Sequence, residues 1–283
     1  MAKLRVLWHT LLCLTLISGC GSRNDTEVKQ TTPQPVKIKK SSDAAGDVDQ
    51  QLAGGSEAAV RPVQPMNNSL LRKEFPNVFA MHGPSANKQI AITFDDGPDI
   101  KYTPQILDIL RKHDVKATFF VMGSRVAGHP EIAKRIHQEG HLLANHTYWH
   151  PKLFREEIAR MKWEVTQTDE AIRSIVGYSP KLFRAPYGGL NESLLKELGD
   201  MNYSVIGWTV DSRDWTQADS KTVKSNVMST LDAGSIVLFH SGGDWTQNLS
   251  GGVQALDELI PQLKKEGYQF LTVSELLGIP GSK

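Results

Sequence analysis

Apolar positions along the chain fall into short blocks that alternate between two spacings. Gln89 to Phe94, Ala117 to Met122 and Ser235 to Phe239 are short runs rich in β-branched and aromatic residues, which predict strands. His141 to Asn145, Lys181 to Arg184, Tyr203 to Thr209 and Tyr268 to Val273 read the same way. Between them the spacing changes to that of helices. In Thr103 to His113, Ile106, Leu107 and Leu110 share one face, and helices are predicted over Pro130–Glu139, Glu156–Val176 (stopped by Gly177), Glu192–Leu198, Ser220–Leu231 and Val253–Glu266. Strands that alternate with helices imply an α/β fold around a parallel sheet, open or closed into a barrel.

The polar residues that interrupt these runs sit at strand ends. Asp95 and Asp96 end the first strand, and His146 and His150 follow the third. Arg184 ends the fourth, Asp211 and Asp214 follow the fifth, and His240 ends the sixth. In a parallel barrel such positions share one face, where active sites are built.

Composition narrows the range of functions. Lys+Arg 32 against Asp+Glu 31 gives a formal charge of +1, with no basic footprint for nucleic acid. No aromatic residue lies between Trp8 and Phe75, so the first part of the chain has little with which to build a core. Lys3 and Arg5, the apolar stretch Val6 to Ile17 and the small residues Ser18-Gly19-Cys20 read as a secretory leader, too short to span a bilayer. Ile17-Ser18-Gly19-Cys20 resembles a bacterial lipobox, with Cys20 the acylated residue. Loss of Lys3 and Arg5 with the leader would change the formal charge from +1 to −1. Cys13 would leave too, so the mature chain would have no disulfide. The Ser-, Gln-, Pro- and Gly-rich stretch that follows reads as a tether. The expected division is a leader over 1–19, a lipid-anchored flexible tether over 20–80 and a catalytic domain over 81–283.

Asp96, His146 and His150 form an oxygen–nitrogen–nitrogen set. Three protein ligands leave a position for water, the pattern of a catalytic metal site. The four-residue spacing of the two imidazoles is that of one helical turn. Asp95 and Asp96 are expected to point to opposite sides of their strand, so that one binds metal while its neighbour faces the water as general base. Arg184, always charged, would hold that base ionised, and His240 would be the general acid, kept protonated by Asp214. Tyr187 and Trp215 offer flat surfaces of the kind that stack on sugar rings.

Taken in order, Thr93-Phe94-Asp95-Asp96-Gly97-Pro98, His146-Thr147-x-x-His150, Arg184-Ala185-Pro186-Tyr187-Gly188, Asp211-x-x-Asp214-Trp215 and Leu238-Phe239-His240 resemble the five motifs of the polysaccharide deacetylases, the NodB-homology enzymes of carbohydrate esterase family 4. The resemblance runs from about Lys88 to Leu277. It leaves the disordered N-terminal tether read from composition unmatched, and implies a distorted (β/α) TIM-like barrel and a hydrolase that removes acetyl groups from N-acetylhexosamine polymers with a divalent metal. It makes Asp95 the base and gives Asp96, His146 and His150 to the metal. Arg184 would tune the base and Asp214 the acid His240, and the Tyr187 backbone N–H would face the oxyanion. It departs at Ser241-Gly242-Gly243-Asp244-Trp245, where many relatives carry an acidic residue beside the histidine; Trp245 is either a further sugar platform or a loop anchor.

The expected protein is an extracytoplasmic, membrane-anchored, monomeric lipoprotein that uses Zn2+ (or Co2+, Ni2+ or Mn2+) and binds no nucleic acid. Peptidoglycan N-acetylglucosamine is the leading substrate, ahead of chitooligosaccharides and acetyl-xylan. A non-catalytic wall-glycan-binding lipoprotein is the rival of another class. A zinc peptidase is disfavoured because His146-x-x-x-His150 lacks the glutamate of the His-Glu-x-x-His helix.

Overall fold

The β-branched and aromatic runs form the strands of one parallel sheet. The structure, a computed structural model, describes residues 52–57 and 68–283. The expected leader, the lipobox at Cys20 and most of the expected tether lie outside the described residues. After helix α1 (Ser69–Glu74), the strands are β1 (Phe79–Ala80), β2 (Gln89–Asp95), β3 (Thr118–Val121), β4 (Leu142–Asn145), β5 (Leu182–Phe183), β6 (Ser204–Ile206), β7 (Val210–Asp211), β8 (Ile236–His240) and β9 (Gln269–Phe270). Their order is β1-β6-β5-β4-β3-β2-β8-β7, with β9 paired to the start of β2. All these pairings are parallel, and no ladder joins β1 to β7 among the described residues, so the sheet is a curled, open half-barrel. The predicted barrel is thus found in distorted form.

Two-residue alternation sorts the strands into an outer and an inner face. Outward, Ile92 and Phe94 of β2, Phe119 and Val121 of β3, and Val237 and Phe239 of β8 pack beneath helices α2 (Tyr102–Lys112) and α8 (Ser250–Lys265). Phe94 and Phe119 stack at 4.9 Å between ring centroids. Inward, Ala91, Phe120, Ala144, Leu182, Ile206 and Ile236 fill the curl, closed at one end by Val273 and Leu276 of α9 (Val273–Leu277). The same inward alternation carries Thr93 and Asp95 on β2 and His240 on β8, so the catalytic candidates continue the inner face of the core.

The structure differs from the sequence expectations in a few elements. The strand expected over Tyr203–Thr209 is shorter, with β6 covering only Ser204–Ile206, and a separate strand, β7, follows at Val210. The last strand ends at Phe270, since Thr272 caps α9 in a reciprocal bond pair with Glu275. Helix α3 (Gly123–Gly128) was not predicted; Ser124 and Arg125 are buried on it. Within the range expected as tether, Leu52 and Glu57 are buried, Ser69–Glu74 is helical, and Phe79 of β1 lies in the core. Among the described residues no helix is long and apolar enough to cross a membrane.

Candidate metal centre and active site

Strand register brings the first two groups together. Asp95 pairs with Phe120 on one side and with His240 on the other, so the base and acid candidates end adjacent strands. Asp96 then leaves the strand with φ 68°, a left-handed conformation unusual for a non-glycine residue. Alternation holds only while the backbone is extended. The two carboxylates therefore do not point to opposite sides, as the strand rule suggested. Both reach His146, with Asp95 Oδ2 at 3.7 Å and Asp96 Oδ1 at 3.2 Å from its Nε2.

His146 and His150 are joined by a loop, not by a helical turn. Thr147 and His150 have φ of 68° and 58°, and Pro151 disfavours helix at His150. Side chains hold the loop instead. Asn145 Oδ1 accepts from the Thr147 N–H, Thr147 Oγ1 accepts from the His150 N–H, and Glu164 Oε2 accepts from both the Tyr148 and Trp149 N–H groups at 2.8 Å. The His146 ring sits 2.8 Å from the carbonyl of Arg184 through Nδ1. A carbonyl only accepts, so Nδ1 carries the proton and Nε2 is left to face the site.

The donor set suits a divalent cation. Asp96, His146 and His150 are all buried and offer ligand atoms within 4.8 Å of one another. Both Asp96 carboxylate oxygens and both His150 ring nitrogens lack a hydrogen-bond partner although buried. His150 Nε2 lies 3.2 Å from Asp96 Oδ1. Burial alone would raise the Asp96 pKa, but His150 and His146 hold it well below the ordinary carboxylate range. Burial would likewise lower that of His146, but Asp95 and Asp96 raise it. A buried acceptor with no donor is costly, and a metal ion is the partner that fits a carboxylate oxygen facing two imidazole nitrogens.

Arg184 is buried and fully engaged. It donates from Nη1 to Asp95 Oδ1 at 2.7 Å and to Thr93 Oγ1 at 2.8 Å, and from Nε and Nη2 to the carbonyls of Ile206 and Gly207. Its guanidinium lies 4.0 Å above the Phe120 ring centre. On the other flank, Asp214 Oδ1 is 2.8 Å from His240 Nδ1, and its Oδ2 accepts from the His240 backbone N–H. Burial would lower the His240 pKa; Asp214 outweighs it and pushes it up to about 10. Tyr187 adopts φ 60° in a tight turn whose bonds run from Gly188 to Ala185 and from Gly189 to Pro186, leaving its own N–H outside that pattern. Its ring stands edge-on to His150, 4.5 Å between centroids. Trp215 is only 8% exposed, and its indole N–H donates to Asp211 Oδ1. Among the described residues, Trp245, at 70% exposure, is the tryptophan that lies open to solvent.

Three residues in and around this site were not singled out from the sequence. Arg125, fully buried on α3, donates to the Asp96 carbonyl at 2.8 Å and to the Gly243 carbonyl at 2.6 Å, and so fixes the left-handed turn at Asp96. Glu164 lies on the long helix α5 (Ile158–Val176), where a charged residue reads as solvated; its carboxylate props the histidine loop and pairs with Arg160 at 2.6 Å. Glu57 comes from a stretch that composition assigns to a tether, yet its carboxylate lies 3.6 Å from His150 Nε2. A buried acid at helical spacing from Met161, Val165 and Thr168 was the available signal for Glu164; none marked Glu57. Replacing Glu164 with alanine removes the acceptor for both loop amides and is expected to weaken divalent-metal binding at the candidate site about 10–100-fold, as loss of outer supports to a metal site does. Competition with a chromophoric chelator measures this; an unchanged affinity would remove Glu164 from the site.

Comparison with known proteins follows the same lines. The chain matches the family model for polysaccharide deacetylase over residues 82–206. It is 42% identical over 200 residues to a peptidoglycan-N-acetylglucosamine deacetylase of Bacillus cereus, covering 70% of this chain and 71% of that protein. Its fold is similar to that of the Bc1960 peptidoglycan N-acetylglucosamine deacetylase, with a TM-score of 0.73 and 38% identity over 76% of this chain and 99% of the other. It is also similar to a pseudoenzyme of carbohydrate esterase family 4 from Bacillus anthracis, with a TM-score of 0.65 and 30% identity over 70% of this chain and 68% of that one. By fold, motif order and identity, the chain belongs to the polysaccharide deacetylases, the NodB-homology hydrolases of carbohydrate esterase family 4.

Proposed function

We propose that this protein removes the acetyl group from N-acetylglucosamine in peptidoglycan, with Zn2+ as its metal, as an extracytoplasmic lipoprotein anchored through Cys20. The observation that carries the chemistry is the set Asp95, Asp96, His146, His150, Arg184, Asp214 and His240, buried together at the ends of β2, β4, β5 and β8 and after β7. The similarity to peptidoglycan deacetylases supports the glycan. The lipobox-like Ile17-Ser18-Gly19-Cys20 supports the anchor.

A divalent cation held by Asp96, His146 and His150 would polarise the acetamide carbonyl and acidify water beside it. Asp95, oriented by Arg184, takes a proton from the water as its oxygen bonds to the carbonyl carbon. The Tyr187 N–H faces the oxygen on which negative charge develops. His240, held as its cation by Asp214, gives a proton to the amide nitrogen as the carbon–nitrogen bond breaks. The products are acetate and a glucosamine amine. Tyr187 and Trp215 would line the wall for the sugar, and Trp245, five residues after the acid in sequence, adds an exposed indole.

The similarity to a family pseudoenzyme supports one rival, a wall-glycan binder without chemistry. Against it stands a site with base, ligands and acid all present. The zinc-supplemented full chain should be incubated with peptidoglycan, N-acetylchitooligosaccharides and acetyl-xylan, and the products identified by mass. Free glucosamine amine from peptidoglycan is expected; amine from chitooligosaccharides alone would move the substrate, and sugar binding without acetate release would favour the binder. Labelling with radioactive palmitate that survives Cys20→Ser would contradict the anchor.

A further inference from the structure

The segment 52–57 lies against the catalytic residues. Leu52 and Glu57 are 5% and 2% exposed. The Ala53 and Gly54 N–H groups donate to the carbonyls of Trp149 and His150 at 2.8 and 3.1 Å, so this backbone is bonded to the loop that carries the histidine ligands. Tyr187 Oη donates to the Gly55 carbonyl at 2.7 Å. Gly54 rests directly on that ring, because a Cβ there would lie 2.3 Å from Tyr187 Oη and 2.8 Å from ring carbons. The segment therefore covers the tyrosine expected to line the sugar wall.

Glu57 completes the contact. Its carboxylate, Asp96 and His240 offer ligand-type atoms all within 4.8 Å of one another, and Glu57 Oε1 is 3.6 Å from His150 Nε2. The group thus lies between the cation residues and the acid, where the scissile acetamide must sit if Asp95 and His240 are to act on it. A glutamate side chain ends in CH2–COO−, differing from acetate, the product, only by the chain that tethers it. We propose that residues 52–57 are a built-in occupant of the acetyl site, with Glu57 as a tethered product mimic that glycan or acetate must displace. This rests on the deacetylase reading of the site.

The occupant is tested by binding, independently of turnover. Sodium acetate is titrated into the zinc-loaded full chain, into Glu57→Gln, which removes the carboxylate charge, and into Gly54→Val, which cannot lie on Tyr187. A short tether gives an effective carboxylate concentration in the millimolar range, so both variants should bind acetate about tenfold more tightly than the parent. In the parent, hydrogen exchange at Ala53 and Gly54 should quicken on acetate saturation. Equal acetate affinity in the three proteins would overturn the proposal. Absence of acetate release from every glycan, in parent and variants alike, would overturn the deacetylase reading alone and leave the acetate comparison to decide the occupant.

Discussion

Asp95→Asn is expected to lower kcat for acetate release by about 10²–10⁴, the usual contribution of a positioned general base. Asparagine keeps an oxygen for Arg184 Nη1, which now lies 2.7 Å from the carboxylate, but has no basic lone pair at neutral pH. With zinc supplied, bound metal should stay at the parental level, because the candidate ligands Asp96, His146 and His150 remain. Asp96→Asn should do the reverse and lose metal first. Measuring both numbers on one preparation separates two adjacent carboxylates that the sequence could not tell apart without the family. Breaking a buried ion pair by removing one partner costs about 3–5 kcal/mol. The loss here should be smaller, since Arg184 keeps Thr93 Oγ1 and the carbonyls of Ile206 and Gly207. A parental kcat in Asp95→Asn would remove it as the base.

The second large effect lies in the pH profile. His240 must carry its proton to serve as acid, and Asp214 pushes its pKa up to about 10 against the depressing effect of burial. The protonated form therefore persists through neutral pH, and activity should fall only as pH rises toward that value. Asp214→Asn removes the opposing charge, so the alkaline limb should move to lower pH by about 1–3 units, the range for a close ion pair. Asp214 also accepts from the Trp215 and His240 backbone N–H groups. An amide cannot accept at all three places, so kcat below the limb should fall as well. The pair contributes to stability with the matching sign. His240 has its pKa raised on folding, so that contribution is complete below pH 6.5, the ordinary histidine value, and fades as pH rises through about 10. A limb that stays in place in Asp214→Asn would detach His240 from the acid role.

The sequence made the strands readable where both faces are buried, because β2, β3 and β8 are largely apolar runs. It hid the parts that are buried but polar. Helix α3 presents Ser124 and Arg125 inward, and neither looks like core. Its value lies in the Arg125 hydrogen bonds to Asp96 and Gly243, which no periodicity encodes. The histidine loop misled through spacing. A spacing of four between imidazoles is the helical interval, yet the turn is made by Asn145, Thr147 and Glu164 in left-handed backbone. The two aspartates misled for a related reason, since strand alternation stops at the φ of 68° of Asp96. Glu57 was out of reach because its neighbours are polar and small, and its burial comes from contacts almost a hundred residues away, with His150. The resemblance to the family supplied the order of roles, while register supplied the reason that Asp95 and His240 meet: they are partners in adjacent strands.

The most direct measurement is acetate release from N-acetylglucosamine polymer by the purified full chain, before and after exhaustive treatment with EDTA and again after addition of zinc. The metal mechanism predicts activity that disappears on chelation and returns with zinc. It predicts no recovery in His150→Ala, which lacks one of the three candidate ligands. Acetate release that survives complete chelation would contradict it.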